Sequence, residues 1–408
     1  MDSSMETDYK GTIDLHRNVR FFLSGGLLYG GGGERIALQI VDYLSSHLKD
    51  KVSLIEHAKS ISETRWNTNE IKQPAEFRSV KYENINLLKF LYQPMPPSSE
   101  YLPLGINMVM IYRIPSKRYL SELVSKQIPV IFLIHGISFE KIRFSNLVID
   151  LYQIYLRFIL RGNGKLLRDK IFRYQVLTTD AVNFLTRWGG INKDQIYLIE
   201  NGLNYLSNCP SSTLDHFTVL FIGRMSNLQK GLRLLAKVSV KLKKRNLPNL
   251  RIIIAGSGLD SHIITSAAKR CDILKYLGYI DEKKKGELLC ESSLFLCTSN
   301  LDPFSIATVE ALQSGLPVVT VPVSGPTNLV NKNSIYGKVS KYSSKSIVDE
   351  IVKFYTFWEK DKLAYNNQKL MRSKIARDEF SLFDMQEGYI KMIAKTAEDR
   401  YSTTISYD

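Results

Sequence analysis

The chain has 408 residues, of which 44% are apolar and 23% charged, and its formal net charge is +15. This composition is that of a folded protein of about two domains, and it excludes a disordered or low-complexity chain. The four cysteines form no Cys-x-x-Cys pair, so neither a structural zinc site nor a disulfide framework is expected. The charge favours nucleic acid, an anionic membrane or phosphorylated small molecules as partners.

The first twenty residues are polar, and no stretch reaches 18 consecutive apolar residues. The sequence therefore predicts no secretory leader and no membrane-spanning helix. Together with the cysteine pattern, this favours a protein of the cytoplasm.

The first half of the chain alternates short apolar strands with helical patterns such as Glu34–Leu48. Because the strands are continuously apolar, they indicate a parallel sheet covered by helices on both faces. The predicted strands are Val19–Ser24, Val52–Glu56, Ile106–Tyr112, Pro129–Ile134 and Gln175–Thr179.

A second alternation starts at Thr218, after a linker predicted at Asn201–Pro210 from its Asn-Gly and Pro. The chain thus reads as α/β, with a doubly wound domain over residues 1–203 and another over 204–380. The second set of predicted strands is Thr218–Ile222, Arg251–Ala255, Leu294–Cys297 and Pro317–Val321. The predicted helices are Gly231–Lys244, Asp281–Ser292, Ile306–Ser314 and Ser346–Phe357.

Four consecutive glycines at 30–33 follow the first strand. A Walker A loop is excluded because Glu34 and Arg35 stand where Lys-Ser or Lys-Thr is needed. The dinucleotide fingerprint also fails, since the sixth position counted from Gly30 is Arg35. The dinucleotide interpretation is supported only by Glu56, which ends the second strand at the distance expected for a ribose-binding acid. Two other interpretations remain: a ligand loop in which Gly32 and Gly33 approach a phosphate, or a glycine-rich connector that binds nothing.

The loop after the first strand of the second domain carries two cations. Gly223-Arg224 ends the strand and Lys230 precedes the next helix. Arg can bond two phosphate oxygens and Lys supplies a point charge, so this pair suits a phosphate. The alternative is two solvated surface cations.

Two weaker signals follow. Gly256 and Gly258, after the next strand, would let a ligand lie against backbone. Tyr279 can lie against a base, or pack within the domain.

Residues 298–319 carry the most specific pattern. Ser305 suits the N-cap and Gly315 the C-terminal end of a helix that starts at Ile306. The first N–H groups of such a helix suit a diphosphate. Asp302 before the helix and Glu310 within it can accept from sugar hydroxyls, which together describe a nucleotide sugar.

The sequence resembles the retaining glycosyltransferases of family 4, most strongly from Phe221 to Val323. That family has the GT-B architecture, two facing Rossmann-like domains with a ligand cleft between them. The resemblance runs from Gly30 to about Glu379, and it implies that a helix over 381–408 returns to the first domain. Asp302 replaces the family's usual first Glu, and Ser305 replaces a usual Gly.

The resemblance also implies roles for individual residues. His135, directly after a strand, is expected near the donor sugar, although a lone His there is otherwise an ordinary loop residue. The implied catalytic residues are Arg224, Lys230, His135 and Asp302. The implied donor-binding residues are Glu310, Gly32, Gly33, Gly223, Gly256, Gly258, Tyr279, Phe304, Ser305 and Ile306.

The reaction implied is transfer of a hexose from a UDP- or GDP-sugar to an acceptor hydroxyl with retained configuration. The leaving phosphate would take the acceptor proton, and no cofactor is needed. No Asp-x-Asp is placed for a divalent ion, so the enzyme is expected to be metal-independent. The alternatives are a non-catalytic nucleotide-sugar-binding protein, a sugar epimerase and a nucleic-acid binder, for which no recognition motif is present.

The acceptor is expected to be a lipid-linked saccharide or a surface glycan, with a simple sugar or a glycoprotein as further possible acceptors. Residues 140–173 mix apolar and aromatic residues with eight Lys or Arg against three acids. Such a segment suits an anionic membrane surface, with the protein peripheral on the inner face. The alternative is an amphipathic helix packed inside the first domain.

Overall fold

The computed structural model describes residues 19–23, 32–48, 52–58, 76–81, 105–111, 114–142, 147–204 and 215–404. Two parallel sheets, each covered by helices, form two α/β domains. This is the predicted architecture.

The first sheet has seven strands in the order β3-β2-β1-β4-β5-β6-β7, all paired in parallel. The order reverses between β1 and β4, which opens a crevice at the carboxyl ends of the strands. The strands are β1 Val19–Leu23, β2 Val52–Ala58, β3 Glu76–Lys81, β4 Ile106–Ile111, β5 Val130–Ile134, β6 Phe172–Val176 and β7 Ile196–Leu198.

Helices of the first domain are α1 Gly32–Leu48, α2 Lys117–Ser125, α3 Leu147–Leu167 and α4 Thr179–Phe184. Strand β6 ends three residues before the predicted Thr179. The reason is local: the Thr178 side chain accepts from the Ala181 N–H at 3.3 Å and caps α4, so the chain turns there.

The second sheet has the order β10-β9-β8-β11-β12-β13, again parallel, with its switch point between β8 and β11. Its strands are β8 Phe217–Ile222, β9 Leu250–Ala255, β10 Leu274–Tyr276, β11 Leu294–Cys297, β12 Val318–Thr320 and β13 Gly337–Val339. Its helices are α5 Asn227–Lys230, α6 Leu232–Lys243, α7 Ser261–Ala268, α8 Glu282–Cys290, α9 Ile306–Gln313, α10 Ser324–Asn331, α11 Ser344–Lys360 and α12 Lys362–Glu379.

The last helix, α13 (Leu382–Thr404), packs on the first domain. Tyr389, Met392 and Ile393 are buried there in the core that also holds Val19 and Ile36. The chain therefore crosses between the domains twice, and the crossings meet where Leu203 bridges to Ser381.

Cys271 and Cys297 are free and buried, whereas Cys290 is disulfide-bonded, which the cysteine spacing did not predict. In the part of the chain that the structure describes, no helix has both the length and the apolar character needed to cross a bilayer. The same residues contain no cluster of three or more His, Cys, Asp or Glu that could hold a metal ion.

Candidate functional site

Lys230 and Asp302 form the centre of the site. Lys230 Nζ lies 2.6 Å from Asp302 Oδ2, which also accepts from Ser299 Oγ at 3.2 Å. Burial alone would lower the pKa of Lys230, but the Asp302 carboxylate outweighs it and holds that pKa above its usual value. Arg224 is exposed, and its positive charge acts to lower the pKa of Lys230. The two cations are therefore close enough to interact electrostatically.

A second lysine–carboxylate pair lies one turn into α9. Glu310 is buried, and its Oε1 accepts from Lys285 Nζ at 2.8 Å. Lys285 also bonds Glu282 Oε2 at 2.7 Å on its own helix, α8. Asp302 and Glu310, expected from the sequence to bracket a ligand between them, are thus each held by a lysine.

The start of α9 is strained. Ser305 is its N-cap and has φ of +74°, a left-handed value that favours glycine. Its Oγ lies 2.8 Å from Thr308 Oγ1. The first N–H groups of α9, those of Ile306 and Ala307, have no acceptor within the helix, whereas the Thr308 and Val309 N–H groups donate to Ser305 O at 3.0 and 3.3 Å. The Phe304 side chain is buried in the core.

Ser305 gives a direct test of that strain. We expect Ser305→Ala to destabilise the protein by about 1 kcal/mol, because it keeps the positive φ and loses the bond to Thr308. Ser305→Gly should be more stable than Ser305→Ala by about 0.5–1 kcal/mol, because glycine adopts the positive φ without strain. The higher conformational entropy of glycine in the unfolded chain offsets part of this stabilisation. Urea denaturation of the three proteins measures both differences. A Gly variant less stable than the Ala variant would contradict the strained turn.

Close packing against residues 223–225 accounts for Gly256 and Gly258. A Cβ at Gly256 would lie 1.8 Å from Gly223 O, and one at Gly258 would lie 2.6 Å from Met225 O. Gly256 and Gly258 therefore let the 223–225 loop lie directly on β9, so their smallness positions Arg224 without requiring a ligand at their own surface. Tyr279 is 78% exposed and is not packed within the domain.

His135 lies at the carboxyl end of β5, on the first domain's side of the cleft. Its ring is buried, and Nε2 lies 2.7 Å from Gln175 Oε1 and 3.1 Å from Tyr389 Oη. The Gln175 amide nitrogen donates to the carbonyls of Val176 and Ile199, so Gln175 Oε1 is the acceptor and Nε2 of His135 carries the proton. Nδ1 is then a buried acceptor with no hydrogen-bond partner among the described residues.

Burial lowers the pKa of His135 to about 4. Between pH values of about 4 and about 6.5, His135 binds a proton in the unfolded chain but not in the folded protein. The free energy of unfolding therefore falls as the pH falls through this window. From pH 7 to pH 5 we expect wild type to lose about 2 kcal/mol more stability than His135→Gln. Urea titrations at the two pH values measure it, and equal losses in both proteins would show that His135 titrates normally.

The two domains meet beside this site. Glu140, five residues after His135, is buried, and both of its oxygens lie 3.1 Å from Ser324 N at the start of α10. Asp180 accepts from Ser324 Oγ at 3.1 Å and from Asn328 Nδ2 at 2.8 Å. These contacts set the His135 loop against the second domain.

Several of these residues escaped sequence reasoning: Lys285, Glu140, Gln175 and Tyr389. Each acts through a partner 25 to 254 positions away in the chain, as in Lys285–Glu310 and His135–Tyr389. A partial signal existed only for Glu140, which lies in the same loop as His135.

Gly32 and Gly33 form the first turn of α1. The rest of the glycine run, residues 30 and 31, lies outside the described residues, so its place relative to the ligand stays a prediction. A cavity of about 720 Å³ lies at the hinge, lined by both domains, among them Asn201, Asn328 and Phe380. Its lining includes neither Lys230 nor Glu310, so it is separate from the candidate donor site.

Known proteins resemble part of this chain in sequence. Residues 210–371 match the family model of the glycosyl transferases group 1. A phosphatidyl-myo-inositol mannosyltransferase of Mycolicibacterium smegmatis is 30% identical over 128 residues, which are 30% of this chain and 33% of that protein. A 2-deoxystreptamine N-acetyl-D-glucosaminyltransferase of Niallia circulans is 24% identical over 165 residues, 38% of this chain and 42% of that protein. The matches thus span between a third and a half of the length of these relatives.

Solved structures resemble the whole described fold. The Anabaena protein HepE in complex with UDP superposes with a TM-score of 0.67 at 15% identity, covering 93% of this chain and all of that one. Sucrose-phosphate synthase of Thermosynechococcus elongatus gives a TM-score of 0.66 at 15% identity, covering 96% and 100%. At such identity the likeness concerns the fold alone, and it confirms the GT-B architecture.

Proposed function

We propose, from the match of the second domain to the glycosyl transferases group 1, that the protein transfers a sugar from a nucleoside diphosphate to an acceptor hydroxyl. The observation that carries this proposal is the cluster of Arg224, Lys230 and the strained start of α9 around Asp302. Two cations lie beside the start of a helix whose Ile306 and Ala307 N–H groups have no acceptor within the helix, a combination that suits the diphosphate of a UDP- or GDP-sugar.

The chemistry proposed is that of a retaining hexosyltransferase of family 4 that works without a metal. Cleavage of the donor leaves charge on the diphosphate, and Arg224, Lys230 and the α9 terminus can stabilise that charge as it grows. Glu310 would accept from the ribose hydroxyls. The departing phosphate would take the proton of the acceptor hydroxyl on the same face of the sugar.

His135 is proposed to contact the donor sugar from the first domain. Its protonated Nε2 is held by Gln175, which leaves the buried Nδ1 as an acceptor for which the described part of the chain supplies no donor. A sugar hydroxyl is a donor that can satisfy Nδ1. Because burial lowers the pKa of His135, the ring stays neutral and keeps this acceptor at physiological pH.

A thermal-shift screen tests the donor assignment. We expect a UDP- or GDP-sugar to raise Tm by binding the native state, and the matching nucleoside diphosphate to do the same. Release of UDP or GDP in the presence of acceptors then separates an enzyme from the alternative, a nucleotide-sugar-binding protein without transfer. The absence of a shift with every donor tested would contradict the proposal.

The acceptor is proposed to be a lipid-linked saccharide, with the protein peripheral on an anionic membrane. Helix α3 supports this: its inner face is buried, while its outer face is apolar for three turns and then cationic at Arg161 and Lys165. A face of this kind suits a bilayer carrying anionic headgroups. The exposed apolar residues are Leu147, Val148, Leu151, Ile154, Tyr155 and Phe158, each between 49% and 74% exposed.

Co-sedimentation with anionic vesicles tests the membrane contact. We expect binding that weakens with salt and is lost when Leu151 and Phe158 are both changed to Ser. The matched control is Leu259→Ser, since Leu259 is 99% exposed but lies on the second domain. Equal loss in both variants, or no binding by wild type, would remove the membrane from the proposal.

A further inference from the structure

We infer that Glu140 is a positioning residue that transmits domain closure to the donor site, an inference that rests on the proposed function. Glu140 is 3% exposed although it belongs to a loop of the first domain and bonds the second. Its two oxygens take the Ser324 N–H at the start of α10, and Ser138 Oγ donates to Oε1 at 2.6 Å. A carboxylate at a helix N-terminus meets both unpaired N–H groups and the positive end of the helix dipole.

The first domain holds this carboxylate firmly. Gln153, fully buried on α3, accepts from Glu140 N and donates to Ser138 O, both at 2.9 Å. Arg157, one turn further along α3, donates to Glu140 O at 3.2 Å. The loop that begins at His135 is thereby fixed to the body of its domain, and Glu140 moves only as that domain moves.

In the second domain, α10 packs directly against the loop of residues 302–305 that precedes α9. The Gly325 N–H, next to the one that Glu140 binds, donates to Asp302 O at 3.1 Å. A Cβ at Gly325 would lie 2.6 Å from both Asp302 O and Phe304 N, so the helix start and the loop touch backbone to backbone. Asp302 in turn holds Lys230.

The contacts form one continuous path from the first domain to the phosphate-binding lysine. The path starts at the Glu140 carboxylate and passes through the backbone of Ser324 and Gly325 to the backbone of Asp302. From there the Asp302 carboxylate contacts Lys230 Nζ. Closure that seats Glu140 on α10 would therefore set the 302–305 loop for reaction, while opening would release it. Asp180 contacts the same helix through side chains, and so lies outside this path.

The test compares Glu140→Gln with Asp180→Asn, two carboxylate-to-amide changes on one interface. We expect Glu140→Gln to lower kcat about tenfold or more, because one charge-assisted contact is lost, and to change the Kd of the nucleoside diphosphate less than twofold. The proposed nucleotide contacts lie in the second domain, so binding should be spared. Asp180→Asn should lower kcat less than about threefold, and Asp349→Asn, on an exposed ion pair with Arg245, should change nothing.

Hydrogen exchange supplies a readout that needs no turnover. Exchange of the amides over 324–331 should rise in Glu140→Gln and stay near the wild-type rate in Asp180→Asn. Unchanged exchange in Glu140→Gln, a wild-type kcat, or equal falls in both variants would each overturn the inference. Absence of turnover in wild type with every nucleotide sugar would instead count against the proposed function, and the exchange result would still decide the role of Glu140.

Discussion

Lys230→Ala should reduce kcat/KM for sugar transfer by at least about 10³-fold. The variant loses the cation that would stabilise the leaving diphosphate, and it leaves the buried Asp302 carboxylate without its 2.6 Å partner. Arg224→Ala should cost a similar order in turnover, but with less loss of stability because Arg224 is exposed. Steady-state kinetics with the donor identified by thermal shift measures both.

Two controls separate catalysis from folding. Lys237→Ala removes an exposed cation from the next helix, and its rates should match wild type. The double variant of Lys230→Ala with Asp302→Asn should recover much of the lost stability, since no unpaired buried charge remains. Recovery of turnover in that double variant, or wild-type rates in Lys230→Ala, would contradict the diphosphate assignment.

Glu310→Gln should raise the donor KM about 10- to 100-fold, the range for losing a hydrogen bond to a charged group. It should also destabilise the fold, by up to about 3 kcal/mol, because the buried Lys285 then keeps its ion pair with the largely exposed Glu282 but loses the buried one. Kinetics and urea denaturation give the two effects independently.

A double variant separates the effect of Glu310 on donor binding from its effect on stability. Adding Lys285→Met to Glu310→Gln removes the poorly compensated cation, so stability should return while the donor KM stays high. Glu282→Gln is the control, since Glu282 shares Lys285 but its side chain is 63% exposed. A donor KM that recovers with stability would mean that Glu310 serves the fold alone.

The fold was predictable because its signals are local. Apolar strands alternating with amphipathic helices predicted the two parallel sheets, and the predicted strand Thr218–Ile222 differs from β8 by one residue. The edge strands β7 and β13 were not predicted, because three residues are too few to show a periodic apolar pattern.

The candidate site was predictable as a set of positions, less so as a set of contacts. Arg224, Lys230 and Glu310 stand out through spacing and their place at strand ends. That Asp302 binds Lys230 does not follow from spacing, because the two residues are 72 positions apart and meet only through the β8–β11 pairing. The same holds for Glu140 and Ser324, 184 positions apart and in different domains.

The return of α13 to the first domain has a consequence for biosynthesis. The core around Val19 and Ile36 stays open on one side until Tyr389, Met392 and Ile393 have been made. At ribosomal rates of roughly 5–20 residues per second, the roughly 180 residues between β7 and α13 take on the order of 10–40 s. During that interval the nascent first domain exposes the apolar surface that Tyr389, Met392 and Ile393 later cover.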